Sequence, residues 1–238
     1  MNKYIVVVGG GYYCDPFRGL DRIVTTSLKH LMHTPELVDL VCFTGGEDVH
    51  PTFYNGVDCG ISFTNKRRDS YEKAILDFCV RKNVKMTGIC RGFQFLNVMA
   101  SGKMFQDVTN HTVHRHPAYF KTIYETHDVS STHHQLVKLP KNAIPIVWAA
   151  PRRSKHYRGP DGSFDMVGPR IEVEGAIFPT LNAFGVQYHP EMMGENETGR
   201  IEFIKTVLKF INGTIGDLYP IGRLSNGNKK TESAAAHG

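Results

Sequence analysis

The sequence predicts an α/β domain built on a mostly parallel central sheet, and three observations predict it. Short apolar runs (Tyr4 to Gly9, Leu37 to Phe43, Val84 to Gly88) alternate with segments of helical periodicity. The runs are apolar throughout rather than at every second residue, as strands covered on both faces are. Each run also stops at glycine, at Gly9, Gly45 or Gly88, where a chain leaving a sheet can turn sharply.

In chain order, Tyr4 to Gly9 is the first strand. Arg22 to His33 carries Ile23, Leu28, Leu31 and Met32 at near-helical spacing, so a helix is expected there. Leu37 to Phe43 is the second strand. Asp69 to Lys82 reads as a helix capped by Asp69, with Glu72 three residues on and Ile75, Leu76, Cys79 and Val80 as its apolar stripe. Val84 to Gly88 follows as a strand and runs without a gap into a helix ending near Gly102. From Lys103 to Leu139 the chain is rich in histidine and threonine, and hairpins and loops over one end of the sheet are expected. Ile144 to Ala149, Ile171 to Phe178 and Ala183 to Tyr188 are further strands. Thr198 to Ile211 is an amphipathic helix with Ile201, Ile204, Leu208 and Ile211 on one face. This places one domain at residues 1–213 and a polar tail at 214–238, in which Ala234-Ala235-Ala236 reads as a cloning addition.

Composition excludes several classes. Hydrophobic residues make up 41% of the 238, enough for a sizeable core and too many for a disordered chain. No stretch approaches the roughly 18–20 consecutive apolar residues of a membrane span. Met1 to Gly11 lacks the pattern of a signal peptide, so a cytoplasmic location is expected. The five cysteines (Cys14, Cys42, Cys59, Cys79, Cys90) are scattered without a C-x-x-C pair and read as free thiols in a reducing compartment. A net charge of +5 is too mild for a nucleic-acid binder, and the one basic cluster (Arg152, Arg153, Lys155, His156, Arg158) reads as a solvated loop. A weaker reading of that cluster is contact with an anionic leaving group.

The chemistry concentrates in two segments. Gly88-Ile89-Cys90-Arg91-Gly92 lies at a strand-to-helix junction and has the form of a nucleophile elbow with Cys in place of Ser. The helix that starts at the thiol favours thiolate through its positive end, and the unpaired Arg91 N–H can donate to an oxyanion. Gln187-Tyr188-His189-Pro190-Glu191 supplies a base and its orienter. In an extended segment His189 and Glu191 project to the same side. Both segments are predicted at the carboxyl ends of strands, where open α/β sheets place their sites. Thr44-Gly45-Gly46 reaches the same edge, and its glycine amides are a second source of oxyanion donors. The histidines at 111, 114, 116, 127, 133 and 134 match no common zinc spacing, so neither a metal nor an organic cofactor is expected. Gly9-Gly10-Gly11 lacks the third glycine of a dinucleotide fingerprint. Met86, Met99 and Met104 read as core fillers.

Taken together, these segments resemble the class I glutamine amidotransferase-like superfamily. Within it they are most similar to the peptidase C26 γ-glutamyl hydrolases of the γ-glutamyl-γ-aminobutyrate hydrolase type. The resemblance rests on Gly45 to Pro51, Arg68-Asp69, Gly88 to Gln94 with Leu96-Asn97, Ser131-Thr132-His133-His134-Gln135, and Gly185 to Glu191, in that order. It spans about residues 37–212; the loops Gly9 to Arg18 and Pro151 to Gly168, expected near the mouth of the site, depart from it. It implies a flavodoxin-like three-layer fold with extra β-hairpins near the active site. It also implies a Cys90–His189–Glu191 triad, an oxyanion hole of the Gly46 and Arg91 amides, and substrate contacts from Gly45, Gln94, His133, His134 and Gln135. The implied reaction is hydrolysis of a small γ-glutamyl amide through a γ-glutamyl thioester, with no cofactor. The expected partner is that small-molecule substrate, with no nucleic acid or membrane and with a homodimer permitted. The alternative is a glutaminase subunit that hands ammonia to a separate synthase. The absence of a synthetase domain within the 238 residues favours the hydrolase. A non-enzymatic scaffold is disfavoured by the intact triad.

Overall fold

The structure, a computed structural model, describes residues 2–165 and 167–218. Nine strands form one mixed sheet: β1 (Tyr4–Val8), β2 (Ile23–Thr25), β3 (Val38–Phe43), β4 (Met86–Ile89), β5 (His114–Phe120), β6 (Glu125–Ser131), β7 (Ile144–Ala149), β8 (Val173–Phe178) and β9 (Ala183–Val186), in the order β2-β1-β3-β4-β9-β8-β7-β5-β6. From β2 to β9 every neighbour is parallel, and from β9 to β6 every neighbour is antiparallel.

Strand alternation sorts the core into two layers. Val6, Val8, Val41 and Phe43 point to one face, where they meet Ile75, Leu76 and Cys79 of α2 (Lys66–Lys82) and Phe93 and Leu96 of α3 (Arg91–Met99). The interleaved Ile5, Val7, Leu40 and Cys42 point to the other, against Phe203, Val207 and Phe210 of α4 (Thr198–Asn212). Three layers result, in the flavodoxin-like α/β arrangement. Among the described residues no helix is long and apolar enough to cross a membrane. All five cysteines are free.

Four local expectations are corrected. Ile23–Thr25 is a strand rather than the start of a helix. Its β-branched residues pair parallel with β1, in the register Tyr4↔Ile23, and the helical remainder shrinks to α1 (Lys29–His33). The cap of α2 is Asn65, whose side chain accepts from the Arg68 N–H at 3.1 Å, whereas Asp69 is buried and used elsewhere. The β5–β6 hairpin does not lie over the sheet but extends it, pairing from His114↔Ser131 to Phe120↔Glu125. Thr214 to Leu218, assigned to the tail, continues the domain through the short helix Ile215–Leu218, and Leu218 is buried in the second core layer. The rest of the expected tail, 219–238, lies outside the described residues.

Short ladders stitch the remaining chain to one end of the sheet. Lys103–Phe105 pairs with Leu136–Lys138, and Tyr157–Arg158 pairs with both Asp107–Val108 and Phe164–Asp165.

Phe203 is 1% exposed and touches both Phe17 and Phe184. Phe203→Ala is expected to lower unfolding free energy in urea by about 3–5 kcal/mol while leaving the opposite layer, α2 and α3, in place.

Candidate active site

β4 ends at Ile89, and the chain reverses into α3 within one residue. That residue, Cys90, takes φ 53° and ψ −111°, a conformation unfavourable for any side chain that carries a Cβ. Two neighbours make the turn possible. A methyl group on Gly88 would overlap the backbone of Gly92, and one on Gly92 would overlap the carbonyl of Phe43. Hydrogen bonds then hold the strained residue: Cys90 N–H donates to the Val186 carbonyl at 2.8 Å, and the Cys90 carbonyl accepts from Gln94 N–H at 3.1 Å. The thiol is 8% exposed and lies 3.6 Å from the Gln187 side-chain amide.

The histidine arrives from the neighbouring parallel strand. β9 ends at Val186, and Gln187 N–H donates to the Glu174 carbonyl at 2.7 Å. Ser130 then clamps the backbone of His189, accepting from its N–H at 2.8 Å and donating to its carbonyl at 3.0 Å. The segment is not extended as expected. Pro190–Met192 is a single 3-10 turn, which still brings Glu191 Oε1 to 2.6 Å from His189 Nδ1. The other ring nitrogen, Nε2, lies 3.1 Å from the Thr132 hydroxyl, and the imidazole is within hydrogen-bonding reach of Cys90. Burial pulls the His189 pKa down, but hydrogen bonding to Cys90 and Glu191 and their negative charge outweigh it, raising it from 6.5 to about 10.

Tyr13 closes the site from the loop after β1. Its ring centroid is 6.3 Å from that of His189, and a methyl on Gly45 would strike both residues. Burial, followed by the charges of Glu191 and Cys90, raises the Tyr13 pKa and keeps its phenol neutral. Tyr12 donates to the Glu191 carbonyl at 3.1 Å. The loop Gly9 to Arg18 is thus part of the site, as its predicted position required.

The second wall is set by buried charge. The Arg91 side chain, 1% exposed, pairs with Asp69 and Glu72 of α2 and lies 5.0 Å from the Phe95 ring centroid. Arg68 donates to Glu72 and Glu47, each at 2.8 Å, and to the Gly45 carbonyl at 2.9 Å. Asp69 also accepts from the His50 N–H at 3.0 Å. Thr44 to Pro51 is therefore tied to the same ionic cluster that holds the first turn of α3.

Between these walls lies a cavity of about 290 Å³, whose lining includes Gly46, Cys90, Arg91, Gln94, Thr132 and His134. Several expected site residues meet here: Cys90 with Gly46, Arg91 and Gln94, and His189 with Glu191 behind them. His133 also borders the cavity, but Nδ1 donates to the Gln135 carbonyl at 2.8 Å and Nε2 turns inward to Glu174. His134 is the half-exposed neighbour, 3.0 Å from Asp48. Gln135 is buried away from the cavity and donates to the Ser62 hydroxyl at 2.8 Å, so it is corrected from substrate contact to loop anchor. Arg152 and Arg153 donate to backbone carbonyls (Val167, Pro169 and Asn110), and none of the basic cluster borders the cavity.

Ser130, Thr132, Tyr13 and Gln187 were not singled out from sequence. All four touch or border His189 or the thiol through fold contacts, and only Thr132 and Gln187 stood inside motifs that could have flagged them.

Comparison with known proteins agrees with this geometry. The peptidase C26 family model matches residues 23–147, a span that includes the elbow and the Gly-Gly loop. The chain belongs to the peptidase C26 family. A glutamine amidotransferase-like protein of Lactococcus lactis, YvdE, is 26% identical over 85% of this chain and 87% of its own length. A γ-glutamyl-CDP-amidate hydrolase of Campylobacter jejuni is 33% identical over 25% of this chain and 26% of its own. Among solved structures, a Thermotoga maritima glutamine amidotransferase superposes with a TM-score of 0.55 at 16% identity, covering 87% of this chain and 84% of that one. That likeness establishes the C26 chain's fold as that of the glutamine amidotransferases.

Two outcomes follow for this C26 site. Cys90→Gly is expected to be more stable than Cys90→Ala by about 1 kcal/mol in urea unfolding, since glycine relieves the positive φ at some cost in chain entropy. His189 should stay protonated up to about pH 10, measured by NMR on its imidazole resonance, assigned by loss in His189→Asn. Because this pKa is raised, the stability it confers is complete below 6.5 and lost as pH climbs through about 10. Glu191→Gln should move that titration downward; an unchanged titration would remove Glu191 as its partner.

Proposed function

We propose that this protein is a cysteine hydrolase of small γ-glutamyl amides. The observation that carries the reading is the strained Cys90, held at the mouth of a cavity beside a buried His189–Glu191 pair. A thiol forced onto a helix N-terminus next to a protonatable imidazole is poised as a thiolate–imidazolium pair. Family membership supports hydrolysis or amide transfer at a glutamyl carbonyl. The Campylobacter relative, a γ-glutamyl-CDP-amidate hydrolase, supports an amine other than ammonia as leaving group.

In this reading the Cys90 thiolate adds to the δ-carbonyl of the γ-glutamyl group. The resulting oxyanion accepts from the N–H groups of Gly46 and Arg91; the latter, at the first position of α3, has no intrahelical acceptor. The His189 imidazolium gives its proton to the departing amine as the C–N bond breaks, leaving a γ-glutamyl thioester on Cys90. Neutral His189 then takes a proton from water, whose oxygen attacks the thioester, and glutamate leaves with the thiolate restored. Glu191 keeps the ring oriented and stabilises its charged form. Gln94 and His134 border the space left for the glutamyl moiety.

The test is release of glutamate and amine from glutamine and from a panel of γ-glutamyl amides. A γ-glutamyl amide should be turned over well above glutamine, and Cys90→Ala should cut kcat/KM by at least about 10³-fold with folding retained. Activity surviving in Cys90→Ala would sink the mechanism. Turnover of glutamine alone, appearing only with a synthase present, would favour ammonia delivery instead.

A further inference from the structure

Three histidines of the His/Thr-rich tract converge on one carboxylate behind the active-site wall. His111 stands just before β5, His116 lies on β5, His133 follows β6, and Glu174 lies on β8. All four side chains are 2% exposed or less. Their facing atoms are His111 Nδ1, His116 Nε2, His133 Nε2 and Glu174 Oε1, and none of these has a hydrogen-bond partner. Buried polar atoms are rarely left so.

The distances explain why. Glu174 Oε1 lies 3.2 Å from His111 Nδ1, 3.4 Å from His116 Nε2 and 3.3 Å from His133 Nε2. One carboxylate oxygen has about two acceptor positions, so it cannot satisfy three N–H donors. Zinc bonds of about 2.0–2.2 Å to His N and carboxylate O put tetrahedral ligand atoms about 3.3–3.6 Å apart. The three separations from Glu174 match three of that tetrahedron's six edges, and the histidine nitrogens, all within 4.8 Å of one another, need draw in by at most about 1.5 Å to complete it.

The outward nitrogens are placed as those of ligating histidines are. His133 Nδ1 donates to the Gln135 carbonyl at 2.8 Å, and His116 Nδ1 to the Pro117 carbonyl at 3.1 Å. His111 Nε2 faces the Glu172 carboxylate at 3.3 Å, which in turn accepts from Arg153 N–H, Ser154 N–H and the Tyr157 hydroxyl at 2.6–2.7 Å. His133 and His116 are thereby fixed in the tautomer that turns a lone pair inward, and His111 has only the nearby Glu172 carboxylate on its outward side.

We infer that His111, His116, His133 and Glu174 form a closed, tetrahedral structural site for a divalent zinc ion. This departs from the expectation of no metal. Its role is positioning rather than chemistry. It ties the Thr132–His134 loop, which touches His189 and borders the cavity, to three other chain segments. The inference does not depend on which amide the enzyme cleaves.

The test is metal content of the full chain, purified without a polyhistidine tag, by mass spectrometry. Wild type should carry stoichiometric zinc, and Glu174→Gln and His116→Asn should lose it while keeping wild-type circular dichroism. Glu172→Gln should weaken zinc affinity about 10–100-fold without abolishing it. Cobalt(II) in place of zinc should give the intense visible bands of tetrahedral coordination, a wild-type readout independent of how the variants fold. No metal as purified and no saturable binding of added zinc would overturn the site. So would zinc retained undiminished by both ligand variants.

Discussion

The guanidinium of Arg91 is the contact on which the site's geometry depends. It sits buried between Asp69 and Glu72, on a residue whose backbone N–H is the first of α3 and whose neighbour is the thiol. Burying these ions costs several kcal/mol each in lost hydration, and mutual attraction recovers that only when every partner is present. Such a cluster adds little net stability, but it tolerates few geometries. Arg68 carries the constraint across, sharing Glu72 with Arg91 and holding the Gly45 carbonyl. The Cys90 turn and the Gly-Gly loop are therefore positioned by one set of charges.

On the opposite side the control is electrostatic as well as steric. His189 is buried, which alone would favour its neutral form, and it is the two negative groups beside it that reverse the balance. Burial, joined by the same two groups, raises the pKa of Tyr13, so the phenol that covers the histidine remains neutral and adds no competing charge. One ring nitrogen is committed to Glu191, and the other is left between Thr132 and Cys90. The ring has nowhere else to donate.

How much of this was legible depended on distance along the chain. The elbow, the His-Pro-Glu segment and the Gly-Gly loop are local patterns, and each was readable because its own residues lie side by side in the chain. The longer strands of the parallel half were readable because burial on both faces leaves continuous apolar runs. Asp69 illustrates the limit. Its spacing from Glu72 read as a capping box, and only the fold shows that both acids face Arg91 instead. Ile23 to Thr25 failed for a similar reason: three residues are too few for periodicity to speak, and pairing with β1 decided them. Tyr13, from a loop, and Ser130, from the end of β6, reach His189 from distant parts of the chain and carry no local mark. The histidine tract read as metal-free because its fourth member, Glu174, belongs to a strand far along the chain.

The sheet's change of direction gives these pieces a common logic. The parallel half delivers Tyr13, Gly46, Cys90 and His189 to one edge, each from the end of its own strand, in the order that open α/β sheets favour. The antiparallel half delivers Ser130, Thr132 and His134 from the β6 end, and β8 is its first strand at the seam. His189 lies where the halves meet, clamped by Ser130 from one half and reached by Cys90 from the other. Relative movement between the halves would separate His189 from Cys90. Glu174 opposes that movement twice: its carbonyl holds Gln187 at the root of the histidine segment, and its carboxylate faces the three histidines of the antiparallel side. A rigid connection at β8 is what a two-part sheet needs if Cys90, His189 and Ser130 are to keep their places across it.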